Sequence, residues 1–328
     1  MKAPHTPAQS RSPADYLLVM LKGIAMGAAD VVPGVSGGTI AFITGIYEEL
    51  LASLRTMTPK TLMLLWRPNA EGQQGFAALW RAVNGNFLLA LGSGIVFSLL
   101  SLARLISYAL VAYPVLVWSF FFGLVIASAI YILRQLTRWS WREAVALVAG
   151  TAVAVAISIA KPAHLPGDWW MVFGAGAIAL CAMILPGVSG SFLLVMMGMY
   201  TVVLGAVTSL DWLLLGCFLG GCATGLLVFS HLLHWLLQRF HNITLALLTG
   251  FLVGSLNVIW PWKHTLEFVT DRHGKSMPLI QENLLPGAFE AMTGTDPQLL
   301  MALTLAVSGI VLVLGLEWVA GGSKTAEK

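Results

Sequence analysis

Two apolar stretches, residues 16–54 and 169–207, are each long enough to cross a lipid bilayer, yet both are cut in the middle by the same five residues, Pro-Gly-Val-Ser-Gly. Proline removes a backbone donor and clashes with the preceding turn, so Pro33-Gly34 and Pro186-Gly187 each stop a helix. The run from Pro33 to Glu48 matches that from Pro186 to Thr201 at seven of sixteen positions, five of them consecutive. The chain is therefore an internal duplication. Each copy reads as a helix, a turn and a second half-helix, the layout of a broken or re-entrant helical hairpin.

Around the breaks lie six uninterrupted apolar segments, at 86–103 with an extension toward 112, 114–133, 143–160, 211–237, 242–260 and 299–319. At about 1.5 Å per residue each covers, or nearly covers, a hydrocarbon core of roughly 30 Å. A water-soluble fold is excluded by composition, since 10% of the residues are charged where soluble domains carry roughly a quarter. The expected fold is an all-α polytopic membrane protein, one membrane domain over residues 1–328. It comprises repeat one at 16–160 and repeat two at 168–319, each a broken hairpin followed by three spans. If a hairpin leaves on the side it entered, each repeat crosses an odd number of times and the second is inserted upside down. That is an inverted-repeat transporter with about six full spans.

Charge sets the orientation. With the N-terminus in the cytoplasm, twelve of the 18 Lys and Arg residues fall inside, among them Arg55, Arg81, Arg134, Arg138, Arg142 and Arg239. The outside receives Arg104, Lys161, Lys263, Arg272 and Lys275, so the positive-inside rule is met with both termini cytoplasmic. The one long external segment, the extracytoplasmic loop 261–298, is acidic on balance. Trp139, Trp141, Trp169, Trp170, Trp212, Trp260, Trp262 and Trp318 fall at or near span ends and read as an aromatic belt. The apolar run after Arg11 superficially resembles a signal peptide, but Lys22 interrupts it and cleavage there would damage one of two matched units. Cys181, Cys217 and Cys222 lie inside apolar runs with no C-x-x-C pair and read as packing residues.

Non-helical backbone at membrane depth is tolerated only where protein buries it or water reaches it, so two breaks imply an internal cavity. Ser36 is placed to cap the helix after the first break, with Thr39 three residues on; Ser189 takes that place in the second copy. Gly34, Gly37, Gly38, Gly187 and Gly190 let a ligand approach the free amides. A helix start presents unpaired N–H groups and about half a positive charge, which makes it an anion site. Two of them, joined by inverted symmetry, suit a phosphate or carboxylate held between amides and the hydroxyls of Ser36, Thr39, Ser189 and Ser191. A tight helix-packing turn is the alternative use of the same residues. Retention of the hydroxyl in both copies favours the anion site.

Asp30 precedes the first break and has no counterpart, because Met183 stands at the matching place. Three roles are open to it: accepting a proton, binding a cation, or hydrogen-bonding loop amides to hold the turn. Glu48 ends the same motif and is a second coupling candidate, with simple solvation as its alternative. Arg104, toward the outer end of its span, is a candidate for phosphate capture, and snorkelling to headgroups fits it equally. Lys22 has the same two readings. His231 and His234 share a helix face without a carboxylate or Cys beside them in sequence, which argues against a metal.

The run GAADVVPGVSGGTIAFITGIYEEL together with ILPGVSGSFLLVMMGMY resembles the bacterial and archaeal family of polyprenyl-phosphate transporters, formerly a domain family of unknown function. The resemblance covers roughly residues 15–320. It implies a flippase of the bacterial cytoplasmic membrane that carries undecaprenyl phosphate from the outer to the inner leaflet for reuse of the lipid carrier in cell-wall biogenesis. The family's motif residues fall on Asp30, Pro33, Gly34, Ser36, Gly37, Gly38 and Thr39, and on Pro186, Gly187, Ser189, Gly190 and Ser191. The expected partners are the bilayer and a polyprenyl phosphate, with a proton or cation for coupling; no cofactor, metal, nucleic acid or enzymatic step is expected. A carrier or channel for a small soluble anion is the alternative that the paired helix starts also fit.

Overall fold

The computed structural model describes residues 11–32, 35–66, 68, 72, 75–160, 163, 165–270 and 276–325. It is an α-helical bundle with one β-hairpin. Helix α1 (Pro13–Asp30) starts at a capping box in which Ser12 and Asp15 satisfy each other's backbone amides, with Pro13 in the first turn. After the first break come α2 (Gly37–Ile43) and α3 (Tyr47–Arg55), then a connection containing α4 (Pro59–Leu62) and α5 (Phe76–Ala82). The long helices α6 (Gly85–Ala112), α7 (Pro114–Gln135) and α8 (Trp141–Ile159) complete the first half.

The second half repeats the order. Helix α9 (Trp169–Ile184) leads to α10 (Gly190–Met196) and α11 (Tyr200–Ser209), then α12 (Trp212–Arg239) and α13 (His241–Ser255). Strands β1 (Lys263–Thr270) and β2 (Ser276–Asn283) pair antiparallel, and α14 (Pro286–Thr293) and α15 (Leu299–Thr325) follow.

Among the described residues, α6, α7, α8 and α12 are long and apolar enough to cross a membrane, and the bent pair α10–α11 makes up to five. The expectation of six full spans is corrected at 242–260, where α13 stops at Ser255 after 15 residues. At ~1.5 Å per residue that is about 22 Å, short of a hydrocarbon core. Helix α15 is apolar over Leu299–Gly315.

The broken regions hold two interruptions each where one was expected. Beyond the Pro-Gly break, Gly45 (φ +72°) ends α2 and Gly198 (φ +70°) ends α10. Ile46 N–H reaches back to Ala41 O (3.0 Å), and Met199 N–H to Leu194 O (2.9 Å). Both are the helix-ending bond that a left-handed glycine permits. Helices α10 and α11 consequently meet at 100°.

Four pairs of helices pack side by side: α1 with α6, α9 with α12, α8 with α13, and α7 with α15. Each crosses at facing glycines. A Cβ added at Gly23 would lie 2.2 Å from Leu91 O, and one at Gly94 would lie 2.1 Å from Met20 O. Gly176 and Gly221 face Phe218 O and Phe173 O at 2.5 and 2.0 Å in the same sense, as do Gly150 with Leu247 O and Gly250 with Leu147 O, both at 2.3 Å. Gly123 and Gly309 repeat it between α7 and α15. Without a hydrophobic drive between helices in lipid, this close backbone approach supplies the packing.

The register also fixes direction. Gly23 faces Leu91 and Gly94, whereas Gly27, one turn on, faces Ile95 and Ser98, so α1 and α6 run parallel. Gly221 faces Phe173 and Gly225 faces Ala177, so α9 and α12 do too. Gly250 meets Leu147 and Gly254 meets Thr151 and Ala154, which makes α8 and α13 parallel. Because α1 and α6 point the same way, the segment between them returns the chain to the side where α1 began.

Trp139, Trp141, Trp169, Trp170 and Trp212 are exposed, as a belt requires, and the side chain of Trp318 lies outside the described residues. Trp260 and Trp262 differ. Their indole N–H groups donate to Leu284 O (2.8 Å) and Pro297 O (2.9 Å), tying the β-hairpin loop to the bundle.

Candidate functional site

The two Pro-Gly breaks meet. Pro33 and Gly34 lie outside the described residues, but the helix they precede is placed, and its side chains bind the second break directly. Ser36 caps α2 by accepting from Gly38 N–H (3.1 Å) and donates across to Met183 O (3.0 Å). Thr39 accepts from Gly187 N–H at 2.9 Å. Tyr47 donates its hydroxyl to Ile184 O at 3.0 Å. Gly38 is packed so closely on that strand of backbone that an added Cβ would lie 2.9 Å from Ile184 O. Ser36 and Thr39 are 1% and 0% exposed.

The carboxylate of Asp30 fills the anion position of the first copy. It accepts from Gly37 N–H at 2.6 Å, and an added Cβ on Gly37 would strike it. An anion at a helix start is the arrangement that the unpaired amides and their partial positive charge favour. Of the three roles open to Asp30, holding the turn is the one its geometry displays.

The second copy is built differently. Met183 replaces the carboxylate and is exposed. Ser189 caps α10 by accepting from Phe192 N–H (3.4 Å), and its hydroxyl pairs only with that of Ser191 (3.0 Å). Ser191 is exposed, and among the described residues the amides of Gly190 and Ser191 make no hydrogen bond. Gly187 sits at φ +82° with Phe251 O and the Ser255 hydroxyl 3.0 Å from where a Cβ would be, so only glycine fits that turn. Gly190 is pressed on Ala179 O. Beside this break lies a small cleft lined by Ser158, Gly187, Ser189 and Ser255 with Ala154, Ile157, Val188, Phe192 and Val258. It is bounded by the C-terminal ends of α8 and α13. The hydroxyls of Ser158 and Ser255 donate to Val155 O (2.7 Å) and Leu252 O (2.8 Å) of their own helices, which leaves Ser189 as the cleft hydroxyl without a backbone carbonyl partner among the described residues.

The remaining candidates lie elsewhere. Arg104 is exposed on α6, with no hydrogen bond or ion pair among the described residues. Glu48 is exposed at the start of α3. Its neighbour Glu49 takes a two-bond salt bridge from Arg11, at 2.5 and 2.7 Å, and a bond from Asn84. Lys22 donates to Thr44 O (2.8 Å), placing a cation at the C-terminal end of α2, where the helix dipole favours it. His231 bonds Leu227 O, and among the described residues no His, Cys, Asp or Glu cluster has metal-ligand geometry.

Sequence reasoning missed the ties of Thr39 and Tyr47 to the other repeat, and Lys263 at the edge of the cleft. The Tyr47–Tyr200 match was the visible signal for Tyr47. Lys263 had none beyond its neighbours Trp260 and Trp262.

An integral bundle of paired helices whose two broken segments interlock at its centre is the build of a polytopic membrane transporter. A family model described as undecaprenyl phosphate translocase-like matches residues 26–277. The polyprenyl-phosphate transporter of Vibrio cholerae serotype O1 is 50% identical over 303 residues, covering 92% of this chain and 96% of that protein. The polyprenyl-phosphate transporter of Staphylococcus aureus is 30% identical over 260 residues, covering 74% of this chain and 85% of the relative. No solved structure matches. The chain belongs to the undecaprenyl phosphate translocase-like family and is a multi-pass membrane transporter.

Proposed function

We propose that the chain is a flippase that carries undecaprenyl phosphate or a close polyprenyl phosphate from the outer to the inner leaflet of the cytoplasmic membrane, returning the lipid carrier for reuse in cell-wall biogenesis. The observation that carries this reading is the asymmetry of the two interlocked breaks. One anion position is filled by Asp30, and the other, at Ser189, Gly190 and Ser191, offers bare amides and hydroxyls beside a cleft that Gly187 and Ser189 line. A lipid phosphate needs its headgroup shielded from hydrocarbon while its tail stays in the bilayer. Paired hairpins held inside a bundle suit that need.

Packing direction and linker length support an inverted repeat. Tyr113 alone joins α6 to α7, five residues join α7 to α8, and Phe240 alone joins α12 to α13, so each of these pairs must reverse direction. Since α8 and α13 run parallel, α6 and α12 point opposite ways. Helices α1 and α9 follow their partners, so the two hairpins enter from opposite faces. The second break then opens to the face that holds the β-hairpin, the outer face by the positive-inside rule.

In this mechanism the phosphate docks first at the second break. Ser36, Gly37, Gly38 and Thr39 lock the two hairpins together and become a receiving site when Asp30 withdraws from Gly37 N–H, which makes Asp30 the coupling residue. Glu48 and Arg104 act at the inner and outer membrane surfaces, where the departing and arriving headgroups pass. The test is leaflet-resolved measurement of undecaprenyl phosphate in cells lacking the protein, complemented with wild type, Ser189→Ala or Ser191→Ala. Accumulation in the outer leaflet, reversed by wild type and not by the variants, is expected. Wild-type behaviour of both variants, or stabilisation of the purified protein by chloride or short-chain phosphates in preference to polyprenyl phosphate, overturns the reading.

A further inference from the structure

Taking the second break as the phosphate site, we propose that Lys263 is the cation that pairs with the phosphate monoester head as it enters the cleft from the β-hairpin side. Lys263 opens β1, immediately after the buried Trp262, and its side chain turns inward from the hairpin. Its ammonium sits over the Trp118 ring, 4.2 Å from the centroid, and donates to Val258 O. Val258 is itself a wall of the cleft that holds Ser189, Ser158 and Ser255. The cation is therefore one residue removed from the cleft that Ser189 of the second break lines.

What surrounds the ammonium is donor-rich and short of anions. Asn257 donates to the Ser158 hydroxyl (2.7 Å), and Asn283, the register partner of Lys263 across the hairpin, donates to Asn257 (2.9 Å). His264 and Glu282 face each other as the next pair, and Glu282 is exposed. The α7 face contributes Trp118 and the end of α13 contributes Val258, neither of them charged. Among the residues whose side chains are described, which do not include Glu267, no carboxylate lies within salt-bridge distance of Lys263.

An ammonium has three donors, and one carbonyl and an aromatic face leave it under-satisfied. Burial pushes its pKa down to about 7, as desolvation without a counter-ion does. A phosphate arriving in the cleft supplies the missing anion through charge-assisted hydrogen bonds.

The test uses the full chain in lipid nanodiscs, with limiting amine-acetylating reagent at pH 7.5 and mass-spectrometric readout of the Lys263 peptide. Saturating undecaprenyl phosphate is expected to suppress labelling at least five-fold, because pairing holds the amine protonated and covered. Undecaprenol, which has the tail without the phosphate, is expected to leave labelling unchanged. Equal protection by inorganic phosphate would assign the same contact to a soluble phosphate. In parallel, Lys263→Met is expected to weaken undecaprenyl phosphate binding at least ten-fold and to flatten its salt dependence, with Lys263→Arg restoring most of both. Full labelling under saturating undecaprenyl phosphate, or wild-type affinity in Lys263→Met, overturns the assignment. If Ser191→Ala loses affinity while Lys263→Met keeps it, the second break stands and Lys263 falls. If wild type binds no undecaprenyl phosphate, both fall.

Discussion

Replacing Thr39 by Val separates two uses of the motif, because the substitution keeps shape and removes only the oxygen that accepts from Gly187 N–H. That amide is buried at a left-handed glycine, and among the described residues Thr39 is its acceptor. Leaving a buried donor unsatisfied costs about 1–3 kcal/mol. Ser36→Ala removes both the α2 cap and the bond to Met183 O, each worth about 1 kcal/mol. Tyr47→Phe removes the third tie, to Ile184 O, for about 0.5–1.5 kcal/mol. All three join the same two segments, so the pairs Thr39→Val with Ser36→Ala and Thr39→Val with Tyr47→Phe are expected to be non-additive by about 0.5 kcal/mol or more. The assay is denaturant or thermal unfolding of purified protein in one detergent, followed by substrate titration of each variant. Ser191→Ala is the contrast: its hydroxyl pairs only with Ser189, so it should leave stability within about 0.5 kcal/mol and weaken binding. A Thr39→Val protein as stable as wild type, yet with binding lost as fully as in Ser191→Ala, would refute the lock and return Thr39 to direct contact with substrate.

The glycine crossings make a sharper structural prediction. Gly94→Ala places a methyl 2.1 Å from Met20 O, so α1 and α6 must part by more than 1 Å, at a cost of about 1–3 kcal/mol or more. Gly92→Ala on the same helix meets nothing within 4 Å and should be neutral or stabilising; unfolding midpoints of the two compare directly. Asp30→Asn keeps an acceptor for Gly37 N–H and removes the charge, so folding should survive while the pH dependence of transport is lost; an unchanged pH profile in a proteoliposome assay removes Asp30 from coupling. Lys263 gives a signed pH effect. Its ordinary value is 10.5 and its folded value about 7, so the unfolded chain binds more protons between them and stability rises with pH across that window. The unfolding midpoint of wild type should therefore gain on that of Lys263→Met from pH 7 toward 10.5, and parallel curves would contradict the burial of the ammonium.

Much of the scaffold was legible because its causes are local. Proline and glycine stop helices wherever they stand, and low charge over long runs commits a chain to lipid, so the breaks, four long helices and the duplication could be read directly. The second interruption at Gly45 and Gly198 was present in the matched positions, but a lone glycine inside an apolar run has several uses and only φ separates them. The glycine crossings were harder still. Gly23 and Gly94 are 71 positions apart, and nothing in either segment says which face meets the other. The β-hairpin lies in a loop where alternation is short and one face is held by Trp260 and Trp262 from outside the strands.

The site shows the same division most sharply. That Ser36 and Ser189 cap helices follows from their neighbours, and both do. What each cap is free to do afterwards depends on the other repeat. Ser36 and Thr39 face backbone of the second break, whereas Ser189 lines a cleft and Ser191 is exposed. Duplication alone would make the copies equivalent, and the difference turns on one substitution, aspartate at position 30 against methionine at 183. A carboxylate already seated on Gly37 N–H excludes a second anion from the same amides by charge repulsion, while the bare amides of Gly190 and Ser191 carry no such guard. Under the proposed function, a removable internal anion on one break makes the two breaks differ in phosphate affinity, and a ligand shifts a conformational equilibrium only by its differential affinity for the two states.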